Sequence, residues 1–216
     1  TSTSLCIIMI KGWVYAVQDT ISTIDIGVAT DPNDISAFEV VSSVKIFSSR
    51  EWTEFVAYFN VLNDADYEEY ANAQYITITT NGEHIYYLDN ISIDVMPSCP
   101  QPTNVFATIS GVGEVQLTWE SITSNTTYRV GTYLDNNLVN ETLVNATSAT
   151  ISNLLPVRNY KFSVRAICSA TDSSAVSYSN TVETPCANLS LPYFSNFENG
   201  SPVCWDTYST VANPTS

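Results

Sequence analysis

Few side chains in this 216-residue sequence have the types and spacing that chemistry requires, and those few point to cross-linking and binding rather than catalysis. The single histidine, His84, has no cysteine or serine motif beside it from which a nucleophile would be built. The pair Glu68-Glu69 lies in a polar loop, where adjacent side chains diverge instead of converging on a bond. Without a converging acid and base, the sequence reads as non-enzymatic. Five cysteines, Cys6, Cys99, Cys168, Cys186 and Cys204, include no C-x-x-C pair, so the usual zinc spacing is missing. Four of them bracket strand ends or module boundaries, which suits disulfides in an oxidising, extracellular compartment. Trp13, Trp52, Tyr58 and Tyr86 are candidates for stacking on sugar rings if they face solvent, and for core packing if they do not.

Charge narrows the partners. With 22 acidic against 7 basic side chains, the net charge of −15 repels phosphate backbones, so nucleic acid is excluded as a partner. The same field opposes docking on anionic lipid. Acidic loops at Asp31-Asn33-Asp34 and Asp64-Asp66-Glu68 offer oxygens to a divalent cation, and read equally well as turns. The apolar run Leu5-Cys6-Ile7-Ile8-Met9-Ile10 lacks the basic flank and cleavage site of a signal peptide and is too short to cross a bilayer. It reads as a central strand.

Those residues must be positioned by β-structure. Thirteen tyrosines, many Thr, Val and Ile, and no sustained helical spacing of apolar residues favour an all-β chain. Strands are expected at Ile24–Ala29, Phe38–Val44, Trp52–Val61, Gln74–Thr80 and His84–Met96, the last two joined by a hairpin at Asn81-Gly82. In an unbulged last strand, Ile85, Tyr87, Asp89, Ile91, Ile93 and Val95 share one face. Asp89 is then an acid in an apolar row, which demands an ion partner, a hydrogen bond or a metal. Met96-Pro97-Ser98-Cys99-Pro100-Gln101-Pro102 reads as a stiff linker that ends one domain and spaces the next.

From Thr103 the pattern changes. Val115, Leu117 and Trp119 alternate with Gln116, Thr118 and Glu120; Tyr160, Phe162, Val164, Ala166 and Cys168 alternate with Lys161, Ser163 and Arg165. Strands of this length with regular turns predict a seven-stranded Greek-key sandwich. The run Leu154-x-Pro156-x-x-x-Tyr160-x-Phe162-x-Val164-x-Ala166, with Trp119 upstream, resembles a fibronectin type III domain over about residues 99–185. The resemblance implies that Tyr160 ties its hydroxyl to nearby backbone. It also implies that Cys99 and Cys168 meet at one pole, leaving Cys186 and Cys204 as a second pair and Cys6 without a partner in this stretch.

The flanks carry a second resemblance. Leu191-Pro192-Tyr193 through Phe197-Glu198, Pro202-x-Cys204-Trp205, Tyr87-Leu88-Asp89-Asn90-Ile91 and Asp25 to Pro32 resemble MAM-like and cleaved-adhesin-type jelly-roll modules of Bacteroidetes surface proteins. Tandem β-sandwiches are therefore expected: the C-terminal part of a jelly-roll-like module at 1–97, a fibronectin type III domain at 98–186, and the beginning of a further jelly-roll-like module at 187–216. Such modules hold a structural calcium, and the resemblance gives Asp89 and Glu198 as ligands, one in each flanking module. The chain is expected to be a window from a long, secreted, adhesin-like array, cargo of type IX secretion, that presents a cell-surface glycan or protein ligand site and engages the secretion or surface machinery. The alternative is a glycan-binding accessory region of a secreted hydrolase or protease. Direct membrane insertion is not expected.

Overall fold

The computed structural model describes residues 8–17, 21–46, 51–59, 75–80, 85–123, 126–188, 191–198 and 204–205. Within them, apolar side chains recur with the period of two that makes half-buried strands. Ile10, Gly12, Val14 and Ala16 are buried, while Lys11, Trp13 and Tyr15 alternate with them toward the outside of β1 (Ile8–Ala16). Strand β1 is the centre of an antiparallel sheet, flanked by β4 (Thr53–Phe59) and β6 (Tyr86–Val95). A second sheet centres β2 (Ser22–Ala29) between β3 (Phe38–Ile46) and β5 (Tyr75–Thr80). The two sheets bury Ile10, Val14, Ile24, Ile26, Val44, Ile46, Phe55 and Phe59 between them. Each such side chain stabilises the sandwich by about 1.5–3 kcal/mol before the ordering cost. Between β2 and β3 the carboxylate of Asp31 accepts from the Asn33 amide and that of Asp34 accepts from Ser36, opening a one-turn 3-10 helix at Ile35–Ala37. These are turn-forming contacts, and the hydrogen bonds from the Ser36 side chain and amide hold the Asp34 carboxyl below its ordinary range.

The last strand of this sandwich departs from the unbulged register. Lys11 faces Ser92 and Trp13 faces Asp89, so two steps along β1 match three along β6. The extra residue is absorbed at Asn90, whose φ of 51° is in the left-handed region that asparagine tolerates. The bulge divides the expected single row. Ile93 and Val95 fall opposite Ile10 and Ile8 on the core side, and a Cβ at Gly12 would come within 3.2 Å of Ile91. Tyr87 and Asp89 fall on the outer face, opposite Tyr15 and Trp13. Asp89 is therefore not an acid in an apolar row: it is exposed, and its carboxylate accepts from the Asn90 amide.

The second sandwich has one sheet of β11 (Ser148–Ile151), β8 (Glu114–Glu120) and β7 (Thr103–Gly111). The other runs β10 (Asn137–Val144), β9 (Thr127–Leu134), β12 (Asn159–Ile167), then β13 (Ser177–Tyr178) and β14 (Val182–Glu183), both pairing with β12. Its core is Val105, Ala107, Val115, Leu117, Trp119, Tyr128, Val130, Tyr160, Phe162, Val164 and Ala166, with Trp119 and Tyr128 edge to face at 5.3 Å. The Leu155 amide donates to the Tyr160 hydroxyl at 3.0 Å, fixing the approach to β12. The expected seventh strand is split in two. At the break, the Ser179 hydroxyl accepts from the Phe162 amide, and Asn180 turns across to β7, bonding both the amide and the carbonyl of Ala107. Side chains thus replace ladder hydrogen bonds and tie the two sheets together.

Cys99 and Cys168 are disulfide-bonded with Cα atoms 5.7 Å apart, joining the lead-in to β7 with the end of β12. Cys186 and Cys204 are likewise bonded, with Cα atoms 5.6 Å apart. Beyond the second sandwich, Trp205 stacks on Tyr193 at 5.8 Å and meets Phe197 edge-on at 5.4 Å. Cys6, the loop containing Asp64, Asp66 and Glu68-Glu69, the Asn81-Gly82 hairpin and His84 lie outside the described residues.

Candidate functional site

The second half of the proline-rich linker between the sandwiches is a buried seam. Cys99, Pro100, Gln101 and Pro102 are all buried. The reason lies in β4, where Phe55, Ala57 and Phe59 face the core and Glu54, Val56 and Tyr58 face outward. Tyr58 meets the linker there: its hydroxyl accepts from the Gln101 amide at 2.9 Å and donates to the Gln101 carbonyl at 3.3 Å. Burial pushes this phenol up to about 12, against the opposing pull of the Gln101 amide. A second clamp comes from Asn104, where a register shift in β7 and a φ of 50° lift the residue out of its ladder. Its amide group accepts from the Lys45 amide at 2.9 Å and donates to the Ser43 carbonyl at 3.1 Å. That contact caps edge strand β3 with a side chain that mimics a strand. Nearby, the Lys45 ammonium lies 5.9 Å from the centroid of the Phe106 ring.

Beside the seam is a cleft of about 230 Å³, walled by both sandwiches. The first contributes Trp13, Trp52 and Glu51; the second contributes Thr103, Lys161 and Tyr178. Trp13 is 39% exposed, Trp52 46% and Tyr178 51%, so all three rings present surface to the cleft. The rings continue outward from the cleft. Trp52 lies 5.7 Å from Tyr15, and Tyr15 lies 6.2 Å from Tyr87. Trp13, Tyr15 and Tyr87 project from the outer face of the β4-β1-β6 sheet, so the rings form a platform that ends at the cleft.

Of the four aromatic candidates read from the sequence, the structure brings Trp13 and Trp52 together at this cleft. Tyr58 belongs to the seam, and its hydroxyl is engaged with Gln101. Tyr86 packs against the first core, because the parity that puts Tyr87 outward turns Tyr86 inward. Neither is a surface for ligand stacking. Sequence reasoning missed Tyr15, Tyr87, Tyr178 and Lys161. Tyr15 was within reach, two residues beyond Trp13 and so on the same face. Tyr178 carried no such signal, since it enters the cleft from a two-residue strand of the other sandwich.

The residues implied as calcium ligands lie far apart in the sequence. Asp89 is exposed beside the Asn90 amide, and Glu198 is exposed after the second disulfide-bonded loop begins. Calcium takes six to eight oxygens, and among the described residues no group of three His, Cys, Asp or Glu side chains converges. The described donors therefore do not by themselves compose such a site.

Residues 100–182 match the family model of the fibronectin type III domain, a fold that indicates no catalytic family. No curated protein matches the chain. Among solved structures, similarity is found to the type III domain of human collagen alpha-1(XX), at 21% identity, 45% of this chain, 95% of that one and a TM-score of 0.37. The type III domain of human contactin 1 matches at 22% identity over 45% of this chain and 87% of that one, with a TM-score of 0.35. A cytokine receptor complex matches at 14% identity over 85% of this chain and 94% of its own, with a TM-score of 0.37. Among the described residues, no helix is long and apolar enough to cross a membrane. The strand order and the family match together identify residues 100–182 as a fibronectin type III domain, clamped to a second, distinct β-sandwich.

Proposed function

We propose that this chain is a non-catalytic length of an extracellular, adhesin-like multi-domain protein of a Bacteroidetes surface, exported as type IX cargo, in which the two sandwiches act as one rigid strut. The single observation that carries this reading is the seam. A flexible spacer leaves its backbone to water, whereas residues 99–102 of this linker are buried, disulfide-anchored at Cys99 and gripped by Tyr58. Fixing the relative orientation removes the freedom that a partner would otherwise have to quench on binding. The two disulfides support an oxidising, extracellular location. A protein or glycan on another surface is the partner class that a projecting strut serves.

Small-angle scattering tests the strut. The natural chain should fit a single two-sandwich shape, and the double variant Tyr58→Phe with Asn104→Ala should spread into an ensemble of orientations. A natural chain that already scatters as an ensemble would refute it. The second reading, a glycan-binding accessory region beside a secreted hydrolase or protease, is favoured by the exposed rings at the cleft. A structural calcium at Asp89, and at Glu198 in the following module, completes the proposal; a chelator should then lower the melting temperature, and an unchanged melt removes the ion from the account.

A further inference from the structure

We infer that the aromatic platform and the inter-sandwich cleft form a binding site for a neutral oligosaccharide, with one sugar ring seated in the cleft and the next lying along the sheet face. This deepens the glycan-binding reading, and it rests on the seam because both sandwiches wall the cleft.

Three observations select the ligand class. The first is the rings themselves. Tyr87, Tyr15 and Trp52 are spaced at 6.2 and 5.7 Å along the outer face, and Trp13 stands beside them across from Asp89. The neighbouring rings are tilted by 52° and 56° to one another, a twisted row that offers an extended ligand repeated apolar contact with the C–H faces of its sugars. The second is charge. The charged residues lining the cleft are Lys45 and Lys161 against Glu51 and Glu54, which sum to zero in a chain whose net charge is −15. Most of these charges are also engaged: Lys161 sits 5.5 Å from the Tyr178 ring centroid, Lys45 lies over Phe106, and Glu54 pairs with Lys11 at 3.4 Å. An anionic sugar would meet two carboxylates beside the two ammonium groups, and the repulsion of a chain carrying a net charge of −15. A neutral one meets no net repulsion and can replace the water on Glu51 with its own hydroxyls. The third is geometry. The rings project from the face of a sheet whose central strand, β1, is paired on both sides, so a ligand lying on the platform contacts side chains rather than the β1 backbone. Sugar hydroxyls do find partners in Thr103, Thr181 and the carboxylate of Glu51. The volume of about 230 Å³ falls below the roughly 300–1,000 Å³ of pockets that enclose whole drug-sized ligands, which leaves the rest of the chain on the open platform.

The test is a calorimetric titration of the full 216-residue chain with cellohexaose, xylohexaose and mannohexaose, with a hexamer of galacturonate as the charged counterpart. At least one neutral hexasaccharide should bind with Kd below about 1 mM. Trp52→Ala and, separately, Tyr87→Ala should each weaken binding by about tenfold at unchanged melting temperature and scattering profile. Binding should be indifferent to salt between roughly 50 and 500 mM, since no counterions are released. If no hexasaccharide binds the folded chain, both the inference and the glycan-binding reading fall, while an intact scattering profile leaves the strut standing. If only the galacturonate hexamer binds, the neutral class is overturned and glycan binding survives. If a neutral hexasaccharide binds equally well to both variants, the platform is not the site.

Discussion

The type III domain encloses Val115, Leu117, Val130, Phe162 and Val164 completely, whereas the sandwich before it leaves Leu88, Ile91, Ile93 and Val95 substantially exposed on edge strand β6. Both are two-sheet sandwiches built from strands of similar length and apolar content. The difference is at one edge of each, since strand β10 of the type III domain also exposes Leu138, Val139 and Leu143 while the opposite edge of its sheet is closed. In the type III domain the last strands pair with β12, and Ser179 and Asn180 bond across the break to both sheets, so the side chains beneath are covered. In the first sandwich, the bulge at Asn90 turns three apolar residues of β6 to the core side of an edge strand, where Ile93 is 55% and Val95 75% exposed. Facing a core and being buried in it are separate conditions: parity sets the first, and the neighbouring element sets the second.

Mutations sharpen this contrast, beginning with the largest effect. Phe162→Ala removes a fully buried ring from the type III core and should cost about 3–5 kcal/mol in chemical denaturation. Ile93→Ala, also a core-side position, should cost well under 1.5 kcal/mol, because much of the side chain already meets water. Equal costs at the two positions would erase the contrast. Replacing both Cys99 and Cys168 by alanine opens a loop with a sequence separation of 69 and should cost about 2–4 kcal/mol. Tyr160→Phe withdraws the acceptor of the Leu155 amide and should lower stability by about 1–3 kcal/mol. Tyr58→Phe should cost only about 1 kcal/mol, since the amide it releases lies at the seam.

Tyr58 also gives the seam a pH signature. Its folded pKa of about 12 lies above the ordinary 10, so the neutral phenol is favoured by folding. The contribution is fully present below pH 10 and is lost as pH rises through 12. A melting curve followed over that window should fall more steeply for the natural chain than for Tyr58→Phe. Parallel curves would mean that the phenol is not the group that docks the linker.

Some of this was legible in the residues alone. The alternation of Val115, Leu117 and Trp119, and of Tyr160, Phe162 and Val164, specified strands, inner faces and core of the type III domain, because regular ladders preserve a period of two from end to end. The Tyr160 hydroxyl bond and the meeting of Cys99 with Cys168 were implied by the resemblance to the type III family, not by the alternation itself. What the sequence by itself determined, then, was the all-β class and the faces of unbroken strands. Only the tertiary structure decided the rest. One left-handed residue, Asn90, reassigned Asp89 and Ile93 to opposite faces, and a bulge costs too little locally to announce itself in residue types. A segment with three prolines reads as a stiff linker, and only Tyr58 and Asn104 reveal that its second half is gripped between the sandwiches. The cleft joins Trp13, Trp52 and Tyr178 from positions up to the far end of the chain's second sandwich, and no spacing rule relates them. Their proximity comes from docking two separate cores, a long-range event that side-chain alternation does not encode.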